Sequence, residues 1–272
     1  MIEITDKEFK QITEFIKRNY GINLKEEKRM LVTGRLQHVL QAAGCDSFAE
    51  YFDYVNADTS GEAVATMVEK ITTNHTYFMR EADHFQYFKD TILRHLKSTV
   101  QDKDLRLWCA ACSTGEEAYT LAMLIDEVLG YEKSLWDAKI LATDISRKVL
   151  STAKSGIYCN EDIATLPKHW IKNYFQEIDR DYSVVKESIR KEVIFRAFNL
   201  MEETFPFKRK FHVIFCRNVM IYFDNETRTK LINKMYNNLE KGGYLFLGHS
   251  ESVNRGDSKF QYVMPSVYRK GV

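Results

Sequence analysis

The sequence predicts an α/β chain built on an open, mixed sheet and preceded by an all-helical segment. Three observations carry that expectation. Residues 106–119 (RLWCAACSTGEEAY) pass from the β-leaning residues Leu105, Leu107 and Trp108 through a small-residue loop into a helix, the first half of a βαβ unit. Apolar runs of strand length recur later, at 138–143 (AKILAT), 193–198, 211–216 and 244–247, with helical patterns among them. Residues 1 to about 72 carry helical periodicity alone.

In chain order, Thr5 and Glu8 form a capping box ahead of Phe9, Ile12, Phe15, Ile16 and Tyr20, and Gly21 ends that helix. A second helix is expected from about Lys25 to Ala43, with Leu31, Leu36, Val39, Leu40 and Ala43 inward. Ser47 with Glu50 caps a third, and residues 61–71 supply a fourth. Lys25, Lys28, Arg29, Arg35 and His38 give the second helix a basic face, which is either solvated or a docking surface for an acidic helical partner. The segment TTNHTYFMREADHFQYF (72–88) then leads into a helix at about 82–97. It is either a connector or a polar loop over a pocket, in which Arg80 holds a carboxylate.

The helix after the first strand shows Ala118, Leu121, Ala122, Ile125, Val128 and Leu129 on one face. Ser113 and Glu116 read as its capping box, with Gly115 easing the turn. The loop lacks the G-x-G-x-x-G of a dinucleotide site and places two acids where a phosphate needs N–H groups. Three readings stay open: a cofactor with ribose, adenine and a cationic tail, of which S-adenosylmethionine (SAM) is the common one; another ligand; or a structural turn. Asp144, ending the second strand, sits where ribose hydroxyls are gripped in such folds, and equally where an N-cap for a helix near Ser146 would stand. The stretch from Ser155 to about Phe195 breaks the alternation as a small inserted subdomain. Asp224 or Asn225 caps a helix to about Glu240, and runs at 259–264 and 266–269, split by Pro265, close the sheet antiparallel.

Composition is that of a soluble globular chain, with 44% hydrophobic and 28% charged residues and a formal charge of +1. This gives no global reason for nucleic-acid binding. No apolar run approaches the ~20 residues of a membrane span, and no signal peptide is visible at the N-terminus. Five cysteines suit reduced thiols in the cytoplasm, with Cys109 and Cys112 read as packing rather than metal or redox groups. No metal is expected.

Six segments together resemble the chemotaxis receptor methyltransferase family, CheR: TTNHTYFMREADHF, WCAACSTGEEAY, ATDIS followed by SGIY, NL at 199–200, FHVIFCRNVMIYFD and GYLFLGHSES. The resemblance spans nearly the whole chain. It implies an all-α N-terminal domain (1–72) that docks on receptors, a linker and helix (73–98) contributing to the active site, and a class I SAM-dependent methyltransferase domain (99–272). A small β-subdomain is inserted at about 168–194. Residue by residue, Asn74, Thr76 and Arg80 match the family's cofactor-contacting and active-site segment. Glu117 matches its motif-I acid, Asp144 the residue taking the cofactor's hydroxyls, and Asn199 with Leu200 the pair beside the adenine. Arg217 and Asn218 match the loop after the fourth strand, and Tyr222 a tyrosine near the transferred methyl.

The implied reaction moves a methyl from SAM to a receptor glutamate, with S-adenosylhomocysteine as by-product. The partner is the cytoplasmic helical bundle of a methyl-accepting chemoreceptor, without nucleic acid or membrane insertion, and the enzyme is expected to act as a monomer. Arg80 would position the acceptor and Tyr222 line the methyl pocket, while Arg29 and Arg35 would belong to the docking face. Members tethered to a receptor pentapeptide carry a glycine-containing turn in the β-subdomain. The matching stretch YFQEIDRDYSVVKESIRKEV has no glycine, which resembles the pentapeptide-independent branch. A small-molecule carboxyl or hydroxyl methyltransferase and a non-enzymatic SAM-binding adaptor are the rival readings.

Overall fold

A computed structural model describes residues 2–254 and 256–272. Its contacts divide the chain into two units. One gathers the residues as far as Asn74 with Asn199–Met201 and Tyr222–Arg228; the other holds the rest.

In the helical unit, α1 (Asp6–Tyr20) opens on the predicted capping box: Thr5 Oγ1 accepts from Glu8 N at 3.3 Å, and Glu8 Oε2 from Thr5 N at 2.8 Å. The next helix, α2 (Arg29–Ala42), starts later than its periodicity suggests because Glu26–Lys28 form a 3-10 turn. Its fully inward residues are Val32, Leu36, Gln37 and Leu40, with Leu31, Val39 and Ala43 only half-buried. Ser47 caps α3 (Phe48–Ala57), and α4 (Glu62–Ile71) follows.

The two arginines placed on the docking face are used inside this unit. Arg35 Nη1 donates to the Ile71 and Thr72 carbonyls at 2.7 and 3.2 Å, groups at a helix end that would otherwise lack partners. Arg29 pairs with Asp6 at 2.9 Å and Glu26 at 2.5 Å, with its guanidinium over the Phe9 ring. Both act as struts between helices.

The α/β unit begins with α5 (Ala82–Tyr87), a π-helical stretch (Phe88–Leu93) and α6 (Arg94–Thr99), which run on as one helix. Then come β1 (Leu107–Ala110), α7 (Glu116–Leu129), β2 (Ile140–Asp144) and α8 (Arg147–Ser155). The insert holds β3 (Ile157–Cys159), α9 (Asn160–Ile163), α10 (Lys168–Tyr174), β4 (Phe175–Glu177), β5 (Tyr182–Val185) and α11 (Glu187–Arg190). The chain ends with β6 (Val193–Ala197), β7 (Phe211–Phe215), α12 (Asn225–Asn238), β8 (Leu239–Phe246), β9 (Gln261–Met264) and β10 (Val267–Arg269).

The main sheet has the order β6-β2-β1-β7-β8-β10-β9, parallel as far as β8 and antiparallel at β10 and β9. All four residues of β1 are buried, as its central place requires. Register pairs Ala110 with Thr143 and Cys109 with Phe215. The loops after β1, β2 and β7 therefore leave the same edge of the sheet, where ligands sit in open α/β folds.

A second, antiparallel sheet has the order β3-β5-β4. It draws its first strand from Ile157, ahead of the expected 168, because SGIY supplies an edge strand before α10. Its β4–β5 turn closes without glycine: Asp179 Oδ1 accepts from Asp181 N at 2.9 Å and Tyr182 N at 2.8 Å, the local bonding by which Asp builds turns.

Candidate active site

The loop between β1 and α7 is shaped by its neighbours. Gly115 has φ +99°, and a Cβ there would lie 2.9 Å from Ala153 Cβ, so only glycine fits. Ala111 and Ser113 also have positive φ, at 63° and 48°. Such backbone clusters at ligand sites. The expected Ser113–Glu116 capping box is not formed. Gly115 is the N-cap residue, Ser113 N donates to Asp144 Oδ2 at 2.9 Å, and the Glu116 carboxylate accepts from Thr114 Oγ1 at 2.8 Å. Asp144 Oδ1 accepts from Ser146 N at 3.0 Å, while Ser146 itself caps α8. Asp144 thus ties the first loop to the second. Burial raises the Glu116 carboxyl above its ordinary range, although a backbone bond and Thr114 pull it down.

Beside this loop lies a chain of charges. The Arg217 side chain is 1% exposed, with Nη1 2.7 Å from Glu117 Oε2 and Nη2 2.9 Å from Glu81 Oε2. Nη2 also donates to the Arg80 carbonyl, and the guanidinium lies over the Phe85 ring. Burial would lower the Arg217 pKa, but its two carboxylates outweigh it and the pKa is raised. Glu117 also accepts from Cys109 Sγ at 3.1 Å. Burial alone would raise Glu81, but bonds from Arg217 and Asn218 prevail and hold it below the usual carboxylate value.

The Arg217–Asn218 corner is fixed by Glu251. Its carboxylate accepts from Asn218 N at 2.9 Å, Gly248 N at 2.6 Å and Ile221 N at 3.2 Å, and burial raises its pKa despite these donors. Asn218 Nδ2 reaches Glu81 Oε1 at 3.1 Å. A Cβ on Gly248 would collide with Asn218.

Arg80 stays within its own loop, donating Nη1 to the His75 carbonyl at 2.8 Å with its guanidinium 6.0 Å from the Tyr77 ring centroid. Thr76 is half-buried in the same loop. The α/β unit thus brings together Arg80, Glu117, Asp144, Arg217 and Asn218.

Asn74, Asn199, Leu200 and Tyr222 belong to the helical unit. There Asn199 Nδ2 donates to the Asn19 carbonyl at 2.8 Å, Leu200 is buried, and the Tyr222 hydroxyl donates to the Thr73 carbonyl at 3.0 Å and accepts from Thr73 N at 3.1 Å.

Two residues with structural weight at the site went unread in the sequence, Glu81 and Glu251. Both lie inside quoted segments. An acid next to Arg80, and another three residues past the glycine that follows the GYLFL strand, were the available signals.

The donor set fits a nucleoside with a cationic tail. Carboxylates dominate, the first turn of α7 carries two acids, and no run of glycine amides is present to cradle phosphates.

Comparison with known proteins decides the family. Residues 74–268 match the model "CheR methyltransferase, SAM binding domain", and residues 7–72 match "CheR methyltransferase, all-alpha domain". The chain belongs to the CheR methyltransferase family. It is 42% identical to a chemotaxis protein methyltransferase of Borreliella burgdorferi, over 99% of this chain and 96% of that one. It is 32% identical to a chemotaxis protein methyltransferase of Escherichia coli, over 98% and 92%. As a CheR methyltransferase the chain is a SAM-dependent enzyme with a class I methyltransferase fold. No helix among the described residues is long and apolar enough to cross a membrane. The four cysteines of the α/β unit are free thiols; burial pushes those of Cys109, Cys112 and Cys216 well above their ordinary pKa.

Proposed function

We propose that this chain esterifies glutamate side chains on the cytoplasmic helical bundle of chemoreceptors, acting in the cytoplasm, as a monomer and without a receptor pentapeptide tether. The full-length match to chemotaxis protein methyltransferases carries the reading. SAM supplies a methyl already activated on a sulfonium. Asp144, at the end of β2, accepts the cofactor's hydroxyls, and Glu117 sets a negative field near the cationic centre. Thr76, Arg217 and Asn218 contribute to the same pocket, and Asn74, Asn199 and Leu200 keep the cofactor-contacting roles that the family resemblance gives them.

An exposed glutamate, with a pKa of about 4.3, is ionised at neutral pH, so no side chain need act as a base. Alignment and removal of water are the enzyme's work. Arg80 orients the acceptor carboxylate: its guanidinium has five N–H donors, and one already holds its own loop. Tyr222 borders the methyl.

Docking falls to the exposed Lys25, Lys28 and His38 together with Met30, which is 87% exposed on a helix without an acidic residue. Arg29 and Arg35 hold that helix in place. The glycine-free turn at Asp179 supports the untethered branch.

The test offers labelled SAM with either a chemoreceptor cytoplasmic fragment or free dicarboxylic acids. Label on the fragment, released by mild base as methanol, supports the proposal. Label on the free acids alone would establish the small-molecule reading, and SAM binding without transfer to either would establish an adaptor.

A further inference from the structure

We infer that Glu81, His84 and His249 form a site for one divalent transition-metal ion, best suited to Zn2+, which ties the Arg80 loop to the loop after β8. The three side chains offer donor atoms that all lie within 4.8 Å of one another. They come from different parts of the α/β unit: the residue before α5, the first turn of α5, and the loop that follows β8.

The deciding observation is the state of His84. Its ring is fully buried, and Nε2 lies 3.3 Å from the Pro265 carbonyl oxygen. A carbonyl can only accept, so Nε2 carries a hydrogen, and in the neutral tautomer this leaves Nδ1 as a bare lone pair. That Nδ1 is buried without a hydrogen-bond partner and faces Glu81 Oε2 at 3.5 Å. A lone pair against a carboxylate oxygen repels unless a cation lies between them.

The geometry suits a metal. With Zn–N and Zn–O bonds of about 2.0–2.2 Å, tetrahedral donors stand about 3.4 Å apart, close to the 3.5 Å between His84 and Glu81. His249 is exposed and gives the ion a way in. Its Nε2 lies 3.1 Å from Asp83 Oδ1, the carboxylate partner that commonly orients a metal-bound imidazole. Solvent at the open side completes four ligands. Arg217 is the opposing charge, and it is held between Glu81 and Glu117. Two neutral imidazoles and a carboxylate favour Zn2+ over the harder Mg2+ or Ca2+.

The test uses the full-length protein without an affinity tag, titrated with ZnCl2 by calorimetry, then with Co2+ as a spectroscopic probe. The expected results are one Zn2+ per chain and a cobalt d–d spectrum free of thiolate charge transfer. His249→Ala, at an exposed position, is expected to weaken Zn2+ binding by about 100-fold or more. Absence of saturable binding, equal affinity in His249→Ala, or a sulfur-to-cobalt band pointing to Cys109 and Cys112 would each overturn the inference. None of these readouts depends on methyl transfer, so the inference and the proposed reaction fail separately.

Discussion

Arg217 shows how a single residue sets the charge balance beside the first loop. Its guanidinium is buried between Glu117 and Glu81, and removing it would leave two carboxylates facing each other in a poorly hydrated place. Arg217→Met is expected to cost about 3–5 kcal/mol in urea denaturation, since one member of a buried ionic group is lost without the others. Arg80 differs because, among the described residues, its side chain bonds within its own loop. Arg80→Ala should leave SAM affinity, read by calorimetry, nearly unchanged and lower kcat about 100-fold, the scale of a lost positioning contact. Unchanged turnover would remove Arg80 from the proposed chemistry. Asp144 was legible as a strand-end acid, yet its bond to Ser113 N was not. That bond takes the loop amide the capping box would have placed near Glu116, and a contact across 31 residues leaves no local pattern to read.

At the level of elements, helices and strands with strong periodicity were legible and their edges were not. The second helix gives up its expected first turn to a 3-10 segment, and it keeps Leu36 and Leu40 inward while Val32 takes the buried place expected of Leu31. The basic stripe on that helix looked uniform in sequence, but two of its five members are internal struts. Charge reversal at Arg35 therefore reports on folding, and Lys28→Glu is the cleaner probe. It should raise the KM for receptor about fivefold, roughly 1 kcal/mol, leave SAM affinity alone, and flatten the salt dependence of transfer. The start of α12 offers a pH test. Asp224 accepts from Thr227 N at 2.9 Å and pairs with Lys17 at 2.8 Å, and the Lys17 bond, followed by the backbone amide, lowers its pKa from 3.8 to about 2. A carboxyl depressed in the folded state contributes stability above pH 4 and loses it as pH falls through about 2. Asp224→Asn, which keeps a cap acceptor but loses the charge paired with Lys17, should accordingly be less stable than the parent at pH 6, by about 0.2–1 kcal/mol, and the gap should narrow between pH 4 and pH 2.

For the molecule as a whole, the order of helical segment, α/β sheet and small inserted sheet could be read from periodicity, and six ordered segments pointed to the family. Asn199, Leu200 and Tyr222, distant in sequence from the N-terminal helices, pack into the helical unit, a long-range arrangement that no spacing rule announces. Each ester formed on a receptor removes one negative charge from a helix surface, a local electrostatic change able to bias a two-state bundle. Peptide mass spectrometry of a chemoreceptor cytoplasmic fragment after incubation with this enzyme and SAM tests that reaction most directly. Individual glutamates are expected to gain the mass of one methyl group, lose it in mild base, and show no gain when replaced by alanine. A base-stable methyl on lysine or arginine, or an unmodified receptor despite bound SAM, would contradict it.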